Sequence, residues 1–221
     1  MNVSGVRQHY QNDLEALRQE ILDMGNRVEK AIGGAVKALS TQDEGLARQI
    51  MAGDDAIDEM EKDIEDKCMM LIARQQPLAM DLRIVATGLK IATDLERVGD
   101  HAFDIAKITL EVIGQPLIKP LVDIPRMADS ARKMVKDSLR AYIELDTQLA
   151  AEVCAADDEV DAIYQQVFRE LLTYMMQDHK NIQQAAQLLF VARYLERVAD
   201  HATNIGEWVI YLATGQRMRK Q

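Results

Sequence analysis

The sequence predicts an all-α protein: two similar three-helix bundles in tandem, six long helices in all. Three observations carry that prediction. Apolar residues recur in alternating steps of three and four along most of the chain, the spacing of helices packed in left-handed bundles. Only 4 prolines and 11 glycines interrupt 221 residues, so the elements are few and long. The stretch DLERVGDHAFDIA at Asp94 returns as YLERVADHATNIG at Tyr194, and a period near one hundred residues marks a duplicated domain rather than a solenoid repeat.

Taken in order, the first helix places Leu14, Leu17, Ile21, Met24, Val28, Ala35 and Leu39 on one stripe. The second begins near Asp43, carries Ile57, Met60, Ile64 and Leu71, and stops at RQQPLAMDLR, where Pro77 removes a helical donor. The third runs from about Leu82 to Val112 with the seam Ile84, Gly88, Ile91, Leu95, Val98, Ala102, Ile105, Thr109 and Val112. Three of the four prolines then fall in GQPLIKPLVDIP, Gly114 to Pro125, which reads as the linker. This divides the chain into a first bundle (1–114), a linker (115–124) and a second bundle (125–221). The second bundle has helices from about Pro125 to Leu145, Thr147 to Gln177 and Ile182 to Ala213, the last with the seam Leu188, Val191, Leu195, Val198, Ala202, Ile205, Val209 and Leu212. Short turns imply antiparallel neighbours and an up-down-up path in each bundle.

Composition narrows the function. A net charge of −10 sets the chain against phosphate backbones and anionic leaflets, so nucleic acid is not expected as a partner and a membrane only indirectly, through other proteins. Metal cations and basic protein surfaces suit it better. No apolar run reaches the roughly 20 residues that span a bilayer, and MNVSGVRQHY lacks the apolar core of a secretion signal. Cys68 and Cys154 belong to no CxxC or metal-type cluster and read as buried free thiols in a reducing compartment, the cytoplasm. No GxxxxGK[ST], GxSxG or HExxH occurs, and no enzyme is expected.

The acids are organised. On the third helix Glu96, Asp100 and Asp104 advance about 40° per step, a line of carboxylates on the side away from the seam. The last helix matches them with Glu196, Asp200 and Asn204, and Glu207 follows. Each middle helix adds a cluster: Asp54, Asp55, Asp58 and Glu61 in the first bundle, Asp157, Asp158 and Asp161 in the second. With the first hairpin centred on Pro77, Asp58 stands level with Glu96 and Asp54 with Asp100. A second turn centred between Asp178 and His179 brings Asp161 level with Glu196. Like charges four apart on a helix repel by a few tenths of a kcal/mol per pair, so the rows call for a compensating cation. Carboxylates without thiols select hard or borderline ions: Mg²⁺, Mn²⁺, Ca²⁺ or iron. The alternative is a solvated acidic face bridged by Arg97 and Arg197. His101 and His201 read as packed, hydrogen-bonded residues rather than ligands, and Arg97 and Arg197 as partners of the acids three positions away. The methionines read as core filler and Trp208 as an amphipathic packing residue.

The residues resemble one family. LEALRQEILDMGNRVE at Leu14, CMMLIARQQPLAMDLR at Cys68, LERVGDHA at Leu95, LTYMMQD at Leu172 and LLFVARYLERVADHATNIGEW at Leu188 are similar to PhoU proteins, accessory proteins of phosphate-specific transport, along nearly the whole chain. The resemblance implies tandem three-helix bundles whose E/DxxxD motifs bind metal clusters, mapping here to Glu96 with Asp100, Glu196 with Asp200, Asp54 with Asp58 and Asp157 with Asp161. Across both readings the expected cofactors are divalent or trivalent ions, Mg, Mn, Fe or Zn. The resemblance also implies a cytoplasmic negative regulator of the phosphate-starvation response and of phosphate uptake. Such a regulator links the ATPase subunit of the phosphate ABC importer to a sensor histidine kinase and forms a homodimer. A metal buffer or a purely structural bundle is the competing reading. Two departures stand out: Lys107 where the second repeat has Glu207, and Asn181 at a hairpin position where relatives often carry proline.

Overall fold

The computed structural model describes residues 3–217, with side chains from residue 10 onward. Its helices are α1 (Val3–Thr41), α2 (Glu44–Ala52), α3 (Asp55–Gln75), α4 (Met80–Val112), α5 (Asp123–Glu144), α6 (Thr147–Gln177) and α7 (Ile182–Thr214), with one 3₁₀ turn at His179–Asn181. The all-α, two-unit expectation holds, with one difference: the second expected helix is two pieces, α2 and α3. The break falls at Gly53, whose N–H donates to the Ile50 carbonyl at 3.1 Å. Glycine is the weakest non-proline helix former, and the aspartates after it favour a helix start over a helix interior. In α6 the matching acids follow alanines, and that helix runs on unbroken.

The turns repeat as well. α1 ends in a left-handed residue, Gln42 (φ 51), and Asp43 then caps α2 by accepting from the Leu46 N–H at 2.9 Å. α5 ends in left-handed Leu145 (φ 52), and Asp146 caps α6 by accepting from the N–H groups of Gln148 and Leu149. A left-handed residue with a side chain costs about 1–2 kcal/mol, and the aspartate cap offsets about 1 kcal/mol of it.

Both seams read from the sequence are buried along their full length. The methionines depart from their reading. Met24, Met127 and Met134 are in the core, whereas Met69, Met70 and Met176 are exposed beside the hairpins, with Leu78, Leu82, Leu172 and Ile182. Cys68 is buried, but Cys154 is only half-buried, and both are free. Burial pushes the thiols up to about 12 and about 11 respectively.

The two halves do not stand apart. α4 packs along α7 and α1 along α5, and the buried apolar residues of both units form one cluster. Glu111, near the end of α4, accepts from Gln187 at 2.9 Å, while at the middle of α4 Asp94 meets His201, so α4 and α7 run antiparallel. Equivalent residues of the repeats therefore exchange places about a pseudo-twofold axis near His101 and His201, whose rings lie 5.7 Å apart. Arg132 of α5 pairs with Glu29 of α1 at 2.7 Å. The segment between α4 and α5 is strapped down: Gln184 accepts from the Ile118 N–H at 2.6 Å and donates to the Pro116 carbonyl, and Lys119 pairs with Glu170 and Asp123. Among the described residues no helix is long and apolar enough to cross a membrane.

Candidate metal centre

Antiparallel packing of α3 on α4, and of α6 on α7, sets the acids of each pair at one height. In the first half Asp54 sits beside Asp58, Asp100 and Asp104. Burial, then Asp58 and Asp100, raise its carboxyl from 3.8 to about 6. Glu96 faces Asp100, Glu61 and Asp58. Burial and then Asp100 raise it from 4.5 to about 7, with Arg97 offsetting part of the rise. Asp104 is raised by burial and then by Asp100. In the second half burial, then Asp200 and Asp161, raise Asp157 from 3.8 to about 6. Asp161 and Glu196 are both raised by burial and then by Asp200. Nine of the ten expected residues thus fall into two groups of mutually repelling carboxylates. Asn204 is the tenth, and its amide turns instead to Asp94 of α4 at 3.3 Å.

The structure changes where these rows lie. The helical wheel put Glu96 and Glu196 on the outer side; they are largely covered, with side chains 15% and 11% exposed. α4 and α7 are the central helices of the molecule, each flanked on more than one side, so the direction away from the seam meets α3 or α6 before it meets water. The two rows also share one open cleft of about 1030 Å³. Asp54, Asp100 and Asp104 line it from the first half, and Asp157, Asp200 and Glu207 from the second, with Arg97, Arg197 and both histidines between.

Arg97 pairs with Asp100 at 2.9 Å, as its spacing of three suggested, and also with the adjacent Glu96 at 3.2 Å, but not with Asp94, which turns to His201. Arg197 does not repeat this. It has no ion pair among the described residues; Arg193 takes its place and pairs with Glu196. His101 is buried against Tyr194 (ring centroids 5.5 Å apart) with its Nδ1 unpartnered, and burial, then His201 and Arg197, lower it to about 4. His201 is hydrogen-bonded to Asp94 at 2.9 Å. Trp208 packs edge-on against Tyr211 and lies under the Arg217 guanidinium.

The donor set fits a hard or borderline cation. It is rich in carboxylate oxygens, and two of them are buried without a partner, Asp157 Oδ1 and Glu196 Oε2, while Glu96 Oε2 is buried with only the Arg97 ion pair. An uncompensated buried carboxylate oxygen costs about 1–3 kcal/mol or more. As the side chains stand, no three of the described histidine, cysteine, aspartate or glutamate side chains converge tightly enough to enclose an ion. Mutual repulsion and the arginine pairs hold the carboxylates apart. Spacing alone presents Asp94 only as an acid three positions from Arg97, whereas it meets His201 of the other repeat; the missing information was that α4 and α7 face each other.

The PhoU domain matches this chain twice, over residues 21–109 and 124–209. The phosphate-specific transport system accessory protein PhoU homolog of Clostridium acetobutylicum is 46% identical over 213 residues, 96% of this chain and 97% of its own. The homolog of Aquifex aeolicus bearing the same name is 43% identical over 209 residues, 95% of each chain. Among solved structures, PhoU from Pseudomonas aeruginosa superimposes with a TM-score of 0.90 at 38% identity, covering 94% of this chain and 100% of that one. The phosphate transport system regulatory protein PhoU from Streptococcus pneumoniae gives 0.89 at 30% identity, covering 96% and 100%. These names are accessory and regulatory, in keeping with a protein that is not an enzyme.

Proposed function

Because this chain belongs to the PhoU family, we propose that it is a cytoplasmic negative regulator of phosphate uptake and of the phosphate-starvation response. In this reading it acts as an adaptor between the ATPase subunit of the phosphate ABC importer and a sensor histidine kinase. The observation that carries the proposal is the near-full-length likeness to the Clostridium acetobutylicum accessory protein. An adaptor that reports the importer's state must bind two states of that importer with different free energies. A rigid double bundle with an acidic cleft offers a fixed surface for doing so. The reading includes a homodimer.

Metal binding belongs to the same proposal. Asp54, Asp58, Glu96, Asp100 and Asp104 would hold ions in the first half, and Asp157, Asp161, Glu196, Asp200 and Asn204 in the second. Mg, Mn, Fe or Zn would supply positive charge to oxygens that otherwise repel. The support is the pair of buried, unpartnered oxygens on Asp157 and Glu196, together with the crowding of carboxylates around Glu96.

Two measurements test the two parts. Elemental analysis of protein purified without chelator should find metal, and less of it in the Glu96→Ala and Glu196→Ala forms; equal content in all three removes the site assignment. Pull-down with the transporter ATPase and the kinase should capture both. Capture of neither, with metal present, would leave a metal buffer as the function.

A further inference from the structure

Asp94 reaches across the seam between the halves. From α4 its Oδ1 meets two residues of α7: His201 Nδ1 at 2.9 Å and Asn204 Nδ2 at 3.3 Å. The pair is well covered, with the Asp94 and His201 side chains 14% and 22% exposed. A carboxylate only accepts hydrogen bonds. His201 Nδ1 therefore carries a proton, and in the neutral ring Nε2 carries the lone pair. By the same logic the Asn204 amide turns its NH₂ to Asp94 and keeps its oxygen free. Both residues line the cleft beside Asp200. One turn away Glu196, itself 8% exposed, has an oxygen with no partner.

The pseudo-twofold axis supplies an internal comparison. Tyr194 stands where Asp94 would be in the other repeat, and Asp104 where Asn204 would be. His101 accordingly stacks on a phenol ring instead of meeting a carboxylate, and its Nδ1 is buried without a partner. One histidine of the pair has its tautomer set by a carboxylate and the other does not.

The geometry points to Asp94 as a positioning residue, supplied by the first repeat, that readies His201 Nε2 and Asn204 Oδ1 as donors to a cation in the second repeat's acidic row. The two rows are then chemically unequal. The first is all carboxylate and suits hard ions. The second mixes imidazole nitrogen with oxygen and suits borderline ions such as Zn²⁺ or Fe²⁺. Imidazole ligands are commonly held in this way by an outer carboxylate, whose loss costs metal affinity about 10–100-fold. This inference rests on the metal reading above but concerns the inequality of the two rows.

Nuclear magnetic resonance on the full-length, metal-free chain with ¹⁵N-labelled histidine tests it, since the chain has only 4 histidines to assign. His201 should show the Nδ1–H tautomer, and Asp94→Asn should convert it toward Nε2–H without moving His101. Added Zn²⁺ should shift the His201 Nε2 resonance and leave His101 unchanged. By calorimetry, Asp94→Asn should weaken the tighter Zn²⁺ site about 10–100-fold and spare the other. An Nε2–H tautomer in the parent protein overturns the inference. So does Zn²⁺ binding that leaves His201 unmoved, with the metal reading intact. Absence of Zn²⁺ binding, with other divalent ions also failing, overturns both. If Asp94→Asn does not fold, the tautomer and the Zn²⁺-induced shift in the parent protein decide alone.

Discussion

Glu96 carries the conflict that the metal reading needs. It is covered by α3, faces Asp100, Glu61 and Asp58, and is raised from 4.5 to about 7. Raised carboxyls bind protons more tightly in the folded chain than in the unfolded one. The stabilisation from protonating Glu96 is therefore full below about 4.5 and is lost as pH climbs through about 7. Asp54 and Asp157, raised to about 6, act in the same direction over a lower window. In chelator, the parent protein should lose thermal stability between pH 5.5 and 8 more steeply than Glu96→Gln, which has no charge to bury. Mg²⁺ or Mn²⁺ added at pH 8 should recover the difference. Melting curves that move in parallel for the two proteins would show that this carboxyl is not the strained one. The identities and heights of these acids were legible from Pro77 and helical geometry alone. Their burial was not, because the seam of α4 reports only where the largest apolar surface lies. Arg197 makes the same point: its spacing to Asp200 matches that of Arg97 to Asp100, yet Arg193 takes the acid partner in the second half.

Helices in this chain approach closely where a side chain is missing. A Cβ on Gly206 of α7 would lie 3.0 Å from the Ala150 carbonyl oxygen of α6 and 3.1 Å from Cys154 Sγ. A backbone oxygen in a packed helix cannot step aside. Gly206→Ala gains about 1 kcal/mol of helix propensity but overpacks the contact at a cost of about 1–3 kcal/mol. A net loss of about 1 kcal/mol in a urea melt is expected. Gly45→Ala on exposed α2 meets only an Asp43 oxygen at 3.4 Å and should gain up to about 1 kcal/mol. If both substitutions stabilise, the α6–α7 approach is looser than these distances. Helix positions followed from apolar period and from proline and glycine placement. The break at Gly53 escaped because the repeat suggested one helix, and the same acids do sit inside an unbroken α6.

At the scale of the molecule the duplication has been folded shut. α4 and α7 lie antiparallel, their LERVxDHA stretches meet about the pseudo-twofold axis, and one apolar cluster runs through both repeats. The proline-rich connector between them is held against the second repeat by Gln184 and by the Lys119–Glu170 pair. Heat should therefore unfold the protein in one cooperative transition, with calorimetric and van 't Hoff enthalpies in agreement. Residues 1–114 expressed alone should lack that transition, because the face of α4 that α7 covers would meet water. Two resolved transitions in the intact chain would show the repeats to be independent after all.

The sequence by itself determined the helices save the break between α2 and α3, their order, the duplication and the two rows of facing acids, since all of these follow from local period and from the turn that joins neighbouring helices. Only the tertiary structure decided that the rows open into one cleft, that Glu96 and Glu196 are covered, and that Asp94 serves the opposite repeat. Periodicity marks one preferred direction on each helix. A central helix is enclosed from several directions, and which segment of the chain fills each of them depends on contacts a hundred residues away.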